Sequence, residues 1–537
     1  MIKAVRGTRD LLPPDTALWN FVEAAARDVF RAYNFQEIRT PIFESTELFA
    51  RGVGEETDIV SKEMYTSPPR EMFTWSDGAV TGTVLEESWL EQYKQAFDRV
   101  ERDVALKDGS RADFVVYRGN IPTIVEVKYQ PDIRALINAE QKVLAWPKDE
   151  KVNLVFAVPE ENAKIPGLAP GTEIHPVRLP SWLEARNSYT LRPENTAGVV
   201  RAYIEHKLWD RGLNKLYYVG PQFRRERPQK GRYRQFYQIG AEVIGPPSSG
   251  SKSPARDAEV LEMLATLLDR LGISDWNLEL NSVGTPADRA KFNEALRQAL
   301  EPVKDKMCAD CQRRAVTNPL RVFDCKVPED QPIIETLPRI SQFLGEESQK
   351  HFDAVQEILT KVGVRFSLNS RLVRGLDYYT RTAFEFTHGS LGAQNAILGG
   401  GRYDGLSEAL GGPPAPGIGF AIGEDRLVMS LQEKTPAESV ARKPNVYIAP
   451  LGANMNSEAA QLARELRRHD LVIELGDETF RLKKSFEAAE KAGAKYILIV
   501  GENEVKADAF ALKNLATGEQ VQVARGELAA KIGHDAG

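Results

Sequence analysis

The hydrophobic pattern divides the chain into helical and extended stretches. Residues 15–33 carry apolar side chains three and four positions apart, which is the spacing of one helix face. Asp15 stands at the expected N-cap of this predicted helix. The segment 35–45 is extended and contains Pro41, which is typical of an edge strand. The apolar positions of the predicted helix are Leu18, Phe21, Val22, Ala25, Val29 and Ala32.

The pattern of residues 217–245 predicts two apolar strands on either side of a charged loop. Between Arg224 and Arg234 the loop carries six Lys or Arg residues and one anion, Glu226. Arginine head groups match phosphate oxygens in a bidentate fashion, so this loop suits a phosphate ligand. A solvated hairpin tip is the alternative interpretation.

Residues 67–188 have a fold pattern of their own. Apolar residues at helical spacing are followed by a predicted strand hairpin over 112–117 and 123–129, a helix over 132–146 and a buried strand over 152–158. The period of two along a strand places Glu126 and Lys128 on one face. This segment is slightly acidic, which argues against a DNA-cutting domain. The residues at helical spacing are Trp89, Tyr93, Phe97 and Val100.

Three further helices are predicted, over 256–271, 286–300 and 351–362. Between the last two, Cys308, Cys311 and Cys325 raise the possibility of a zinc site. Structural zinc takes four ligands, and no fourth ligand is evident nearby in the sequence. Reduced cysteines in a helical hairpin are therefore the expectation.

Glycine clusters mark residues 398–427, and the composition changes again after 443. The glycines alone indicate tight turns, because no strand and helix flank them in the order of a dinucleotide-binding motif. From residue 443 onward, apolar strands alternate with amphipathic helices. This alternation predicts a doubly wound sheet with helices on both faces.

Composition limits the class of protein. The chain has 537 residues, of which 42% are hydrophobic and 27% charged, with a formal net charge of −6. That charge predicts no general affinity for nucleic acid, so contacts with RNA must come from local patches. Three cysteines indicate a reducing compartment. With no apolar signal core in residues 1–7 and no membrane-spanning run, a cytoplasmic protein is expected.

Taken together, these segments resemble the histidyl-tRNA synthetase family of class IIa aminoacyl-tRNA synthetases. Residues 35–66 resemble motif 1 and its continuation, and residues 217–245 resemble motif 2. Residues 371–386, with RGLDYY, resemble the histidine-specific motif that precedes motif 3 at 398–427. The resemblance implies an α+β catalytic core with an antiparallel sheet, over 1–66 and 189–435, including a helical insertion near 286–365. It also implies an α/β anticodon-binding domain over 443–537 and a homodimer.

The segment 67–188 interrupts this resemblance at a hairpin turn. Its order of elements resembles the restriction-endonuclease-like (PD-(D/E)xK) fold, which is an α/β fold. By that resemblance Asp113 and Glu126 hold a divalent metal ion and Lys128 orients a water molecule. A surface cluster of ion pairs is the alternative for these three residues.

The family resemblance implies activation of histidine by ATP with Mg²⁺, and transfer of the histidyl group to tRNA(His). Arg224, Arg374 and Arg426 correspond to the catalytic arginines, and Arg224, Glu226 and Arg426 to ATP contacts. Arg227 and Gln229 correspond to contacts with the tRNA acceptor end. Asn195 and Tyr237 depart from the usual glycine and histidine. The implied histidine-binding residues are Glu194, Thr196, Gln238, Glu242, Tyr379 and Tyr403.

Two alternative functions remain open. One is a non-catalytic synthetase paralogue that regulates histidine biosynthesis, although such paralogues usually lack the C-terminal domain and the intact RGLDYY segment. The other is a fusion of synthetase and nuclease that acts on nucleic acid, for which Asp113, Glu126 and Lys128 must converge on one metal ion.

Overall fold

The computed structural model divides the chain into two compact units. The first comprises Met1–Asp10 and Val22–Glu433, and the second Leu11–Phe21 and Lys434–Gly537. Among the described residues, no helix is both long and apolar enough to cross a membrane. Arg227 and Gln229 lie outside the described residues. The described residues are 2–54, 57–67, 85–119, 121–128, 133–146, 152–159, 172–177, 188–226, 228, 231–389, 396–432 and 434–534.

An eight-stranded sheet forms the centre of the first unit. It is antiparallel except at its two edges, where short strands pair in parallel. Its central strands are buried at most consecutive positions, so both faces of the sheet are covered there. In spatial order its strands are Gln36–Glu37, Asn214–Phe223, Gln235–Ile244, Gly417–Gly423, Ala396–Arg402, Thr380–His388, Trp276–Ser282 and Ser367–Leu368.

The helices of this unit follow the predicted apolar periodicity. The first predicted helix is confirmed, with Asp15 inside its first turn rather than outside it as the N-cap. The three helices predicted between 256 and 362 are also confirmed. The helix Asp15–Ala32 belongs to this unit only from Val22 onward. Outside residues 67–188 the other longer helices of the unit are Thr46–Val53, Thr196–Glu205, Pro254–Arg270, Pro286–Leu300, Ala309–Thr317, Gln331–Thr336, Glu346–Lys361 and Glu424–Gln432.

A small three-stranded sheet marks the point where residues 67–188 leave the core. Its middle strand, Tyr189–Leu191, pairs with Phe43–Ser45 on one side and with Tyr65–Ser67 on the other. Ser67 lies directly opposite Tyr189 in the register. The prediction that the two ends of the segment adjoin on paired strands is therefore confirmed.

Residues 67–188 contain a five-stranded mixed sheet. The first three strands are antiparallel, and the last two continue in parallel. Apolar clusters cover both faces, one around Trp89 and Phe114 and the other around Trp146 and Phe156. Its elements are a helix over 85–93, strands Arg99–Ala105, Arg111–Arg118 and Ile121–Val127, helix Ile133–Leu144, and strands Asn153–Pro159 and Thr172–Val177.

One expectation for this segment is wrong. Phe97 and Val100 do not continue the helix that carries Trp89 and Tyr93, because a 3₁₀ turn ends it and Val100 enters the strand Arg99–Ala105. Pairing with Arg111–Arg118 outweighs the helical spacing. Both side chains still pack against the same apolar cluster, which explains why the spacing was misleading.

The second unit is the doubly wound sheet that the alternating pattern predicts. Its first three strands are parallel and the last two antiparallel, and apolar clusters lie on both faces. In spatial order the strands are Ile473–Leu475, Val446–Pro450, Tyr496–Val500, Ala509–Asn514 and Gln520–Ala524. The helices are Ala437–Val440, Asn456–Arg467, Leu482–Lys491, Glu502–Ala507 and Leu528–His534.

Replacing residues 68–188 with a turn of about two to five residues should leave the rest of the chain folded, because Ser67 and Tyr189 are already paired as in a hairpin. Thermal unfolding and limited proteolysis of the shortened chain check this outcome. The segment expressed alone should unfold cooperatively, since it has its own buried clusters. Loss of the folded state in the shortened chain would contradict the modular arrangement.

Candidate active site

Two ten-residue strands form the hairpin predicted around the cationic loop. Asn214–Phe223 and Gln235–Ile244 pair in a continuous antiparallel register. At the base of the loop, Nε of Arg224 donates to the carbonyl of Pro193 at 2.9 Å. The Arg224 guanidinium also lies over the ring of Phe236, 5.2 Å from its centroid. These two contacts fix the direction of the guanidinium.

A polar cleft lies beside this hairpin and brings together three arginines from separate segments. Arg224, Arg374 and Arg426 all line it. Arg426 is anchored by a hydrogen bond from Nη1 to the carbonyl of Ala396 at 2.8 Å. Cations outnumber carboxylates in the lining, which suits a polyphosphate. The other charged residues of the lining are Glu226, Arg232, Lys326, Glu385 and Asp425.

Arg374 is held in the cleft from two sides. Its guanidinium forms an ion pair with Glu385. On the other side it lies against Gly399, where an added Cβ would come within 2.5 Å of Nη1. Any side chain at this position would require the Arg374 guanidinium to move, so the glycine cluster serves the cleft as well as the turns.

Glu226 is paired within the loop. Its carboxylate accepts from Arg232 at 2.9 Å and lies 3.8 Å from Nη1 of Arg224. The predicted ATP contact is thus part of an ion-pair network whose arginines face the same cleft.

Buried polar side chains surround Glu242, on the strand next to Gly417–Gly423, and this group is called the Glu242 pocket below. The Glu242 carboxylate is fully buried, and Oε1 accepts a hydrogen bond from Thr196 at 2.7 Å. Oε2 has no hydrogen-bond partner among the described residues. Burial raises the pKa of Glu242 to about 8. The neighbouring Thr196 and Tyr403 hydroxyls act in the opposite direction, because they stabilise the charged carboxylate and lower its pKa.

Tyrosine rings form the walls of this pocket, and several of its polar atoms are unsatisfied. The hydroxyls of Tyr403 and Tyr218 and the Oε1 atom of Gln238 are buried and have no hydrogen-bond partner among the described residues. Tyr379 lies beside them and is also buried. Unpaired buried polar groups are costly, so a ligand with complementary donors and acceptors is expected here.

Glu194 lies at the N-terminus of the helix Thr196–Glu205 and binds its first backbone N–H groups. Its carboxylate accepts from the backbone N–H of Thr196 at 2.8 Å and of Ala197 at 3.0 Å. Burial raises the pKa of Glu194, although both N–H groups favour its charged form. Tyr378 lies within 3.5 Å of the same carboxylate. The sequence prediction omitted Tyr218 and Tyr378, although each adjoins a tyrosine in a quoted motif.

Asn195 stands where the family usually has glycine, and the structure explains why asparagine fits there. Its backbone φ of −118° is open to any residue, so no glycine is needed. The side-chain Oδ1 accepts from Thr40 at 2.5 Å and from Arg192 at 3.3 Å. Asn195 therefore links the start of the helix to the segment that contains Pro41.

The chain matches known proteins over nearly its whole length. A family model for histidyl-tRNA synthetase matches residues 183–427, and one for the anticodon binding domain matches residues 445–534. The chain is 58% identical over 530 residues to a histidine–tRNA ligase of Koribacter versatilis, covering 98% of this chain and 95% of that protein. The chain belongs to the histidyl-tRNA synthetase family.

Two further relatives extend the match. A histidine–tRNA ligase of Solibacter usitatus is 46% identical over 534 residues, covering 99% of each chain. The crystal structure of apo S. aureus histidyl-tRNA synthetase is 30% identical, with a TM-score of 0.64 and coverage of 99% of this chain and 100% of that one. The core and the C-terminal unit of this histidyl-tRNA synthetase family member are thus those of its relatives.

Within residues 67–188, the three predicted metal-site residues come together. Nζ of Lys128 lies 3.3 Å from Asp113 and 3.2 Å from Glu126, as expected for two residues on one strand face. The sequence prediction missed Lys142, whose ammonium lies 2.8 Å from both oxygens of Glu126. Both carboxylates are therefore paired with lysines, and the metal role remains a prediction.

The expectation that no fourth ligand lies near the three cysteines is wrong. Asp330 follows Cys325 by five residues, and its carboxylate lies beside the thiols. A 3₁₀ segment folds the chain back after Asp324 and brings this acid to the cluster.

The pKa of Glu242 gives a pH-dependent test. Below about pH 4 the carboxyl is neutral in both the folded and unfolded states. As pH rises, the Glu242 carboxyl loses its proton in the unfolded chain first, so the free energy of unfolding falls until about pH 8. Glu242→Gln is always neutral and should therefore gain stability over the native chain as pH rises from 5 to 8.5, by up to roughly 4 kcal/mol.

Thermal unfolding at several pH values checks this outcome. Glu294→Gln, at an exposed helix position, is the matched control and should show no such divergence. A pH-independent difference between Glu242→Gln and the native chain would contradict an uncharged Glu242.

Proposed function

We infer that the protein ligates histidine to tRNA(His). ATP and histidine form histidyl-adenylate with release of diphosphate, and the histidyl group then passes to the 3′ end of the tRNA with release of AMP. The observation that carries this function is a cationic cleft beside a buried pocket around Glu242, in a chain of this family.

The first step brings two anions together, the histidine carboxylate and the α-phosphate. The protein therefore contributes positioning and charge neutralisation. Arg224 binds the α-phosphate and the carboxylate, Arg374 also serves the α-phosphate, and Arg426 binds the γ-phosphate. Each guanidinium is held by a carbonyl or a carboxylate before substrate arrives, so little reorganisation is needed.

Mg²⁺ would accompany the β- and γ-phosphates. Glu226 and Glu385 line the same cleft, and carboxylates with phosphate oxygens are the ligands that this ion prefers. The two glutamates would hold the ion, which supplies charge neutralisation when bound.

Histidine selection rests on the buried pocket. Glu242 accepts from the imidazole N–H, with the hydroxyls of Tyr379 and Tyr403 beside it. A side chain that leaves these groups unpaired is strongly rejected. Glu194, Thr196 and Gln238 bind the α-amino and carboxylate groups, and the unpaired Oε1 of Gln238 supports this role.

Recognition of tRNA involves both ends of the molecule. Arg227 and Gln229 contact the acceptor end, and the unit over 443–537 binds the anticodon. The protein acts as a homodimer, as the motif 1 resemblance implies, and in the cytoplasm, as its few cysteines suggest.

The segment 67–188 is proposed as an inserted domain with a restriction-endonuclease-like fold. The order of a helix, three antiparallel strands, a helix and a parallel strand supports this, as does the convergence of Asp113, Glu126 and Lys128. These residues form its candidate metal site, and an ion there must displace the Lys142 ammonium from Glu126.

A purely regulatory role is less well supported. The C-terminal domain is present, and Arg374 of the RGLDYY segment lies in the cleft with the other two arginines. Aminoacylation of tRNA(His) by the purified protein, with histidine and not with other amino acids, tests the proposed function directly.

Arg374→Ala should lower the rate of histidine-dependent pyrophosphate exchange by at least about 10²-fold, because a preorganised charge in the transition state is lost. The variant should keep the native thermal unfolding profile. Arg365→Ala, at an exposed position outside the cleft, is the control and should exchange normally. A rate within about tenfold of the native value would contradict the catalytic role of Arg374.

The candidate metal site of the insert can be tested with Mn²⁺, followed by electron paramagnetic resonance. The native chain should bind Mn²⁺, whereas Glu126→Gln should bind at least about tenfold more weakly because one anionic ligand is lost. Equal binding by both proteins would mean that Asp113, Glu126 and Lys128 form only an ion-pair cluster.

A further inference from the structure

All three cysteines of the chain converge on one point in the helical insertion. Cys308 immediately precedes the helix Ala309–Thr317, Cys311 lies one turn later, and Cys325 follows the 3₁₀ segment Pro319–Asp324. Together with a carboxylate oxygen of Asp330, their sulfur atoms all lie within 4.8 Å of one another. In the described part of the chain, this is the one group of three or more metal-binding side chains so closely placed.

The distances suit a tetrahedral ion rather than a disulfide. The sulfur atoms of Cys308 and Cys325 are 3.9 Å apart, and all three cysteines are free. A zinc–sulfur bond of about 2.3 Å gives a sulfur–sulfur edge of about 3.8 Å in a tetrahedron. The Cys325 sulfur and the Asp330 carboxylate are 3.1 Å apart, about 0.4 Å shorter than the sulfur–oxygen edge of about 3.5 Å that zinc bonds of about 2.3 and 2.0 Å give.

The surroundings of the four ligands are those of a closed site. Cys311, Cys325 and Asp330 are buried, and apolar side chains of the insertion surround them. The backbone N–H of Cys308 donates to Asp330 at 3.0 Å, and that of Val327 donates to the Cys325 sulfur at 3.4 Å. Such hydrogen bonds orient ligands and stabilise their negative charge.

We propose that Cys308, Cys311, Cys325 and Asp330 bind one zinc ion as a structural site. Three thiolates select a soft divalent metal, and four protein ligands leave no open position for a substrate. The site lies outside the reaction described above and goes beyond that function.

The ion would stabilise the segment that supports Arg374. From one side of the cluster, Nη1 of Arg321 donates to the backbone carbonyl of Arg374 at 2.9 Å. From the other, Gln331 accepts from Arg371 at 2.6 Å. Lys326, next to Cys325, lines the cleft itself. The zinc ligands are thus positioning residues, and this consequence alone rests on the proposed function.

Metal analysis of the full chain purified without chelator tests the proposal. About one zinc ion per chain is expected. Replacement by Co²⁺ should give the thiolate charge-transfer and ligand-field bands of a tetrahedral site, and these bands can be assigned because no other cysteine exists. A chain that contains no zinc and gives no thiolate band with Co²⁺ would overturn the proposal.

Variants distinguish the zinc ligands from neighbouring residues that do not bind zinc. Cys325→Ser should reduce the zinc content to below about one tenth per chain, and Asp330→Asn should shift the ligand-field bands while keeping thiolate charge transfer. Asp310→Asn is the matched control, since Asp310 lies between two ligands but is exposed and paired with Arg313. It should bind zinc and give the native Co²⁺ bands, and native ligand-field bands in Asp330→Asn would refute the assignment of Asp330.

Zinc removal should also raise the KM for ATP at least about threefold, and restored zinc should reverse this change. An inactive native protein that still holds one zinc ion would refute the ligase function but not the site. A protein that is active but contains no zinc when purified without chelator would refute the site alone.

Discussion

The catalytic core depends on a fully buried ion pair between Arg402 and Asp257. The Arg402 guanidinium donates to both carboxylate oxygens at 2.8 and 3.0 Å, and to the carbonyl of Ser251 at 2.6 Å. Asp257 also contacts His351 at 2.8 Å and accepts from Thr382 at 2.6 Å. Burial alone would raise the pKa of Asp257, but Arg402 and these partners hold it below its usual value. Breaking such a pair leaves a buried charge and costs about 3–5 kcal/mol.

This ion pair fixes the position of both parts of the active site. Arg402 ends the strand that carries Gly399 beside Arg374, and the next residue, Tyr403, enters the pocket of Glu242. One strand therefore positions a wall of the cationic cleft and a wall of the buried pocket. The close approach of Gly419 to the Glu242 carboxylate keeps these two parts adjacent, since a side chain there would collide with it. Adenylate formation requires this adjacency, because the two reacting groups come from different pockets.

The parts of the fold that the sequence predicted are those with a strong local pattern. The hairpin around Arg224 and the alternating elements after residue 443 follow from periodicity, and motif resemblance found the three arginines. The sequence predicted less well which distant residues come together in space. Lys142 lies on a helix that follows the strand of Glu126, and Asp330 lies beyond a 3₁₀ segment that follows two of the cysteines. Both reach their partners only when the chain folds, and local spacing does not reveal this. Val100 was misassigned because a residue in a strand and a residue in a helix can reach the same apolar cluster.

The position of the insert explains how the core tolerates it. The chain returns from the insert through Tyr189–Leu191 and reaches Glu194 three residues later. Between them, Arg192 donates to the carbonyls of Pro221 and Thr40, each at 3.0 Å, so its side chain is bound to the core on both sides. These bonds, rather than the insert, set the direction of the backbone that enters the pocket. The other connection, Tyr65–Ser67, is paired with the same return strand, so both ends of the insert are held in the small sheet.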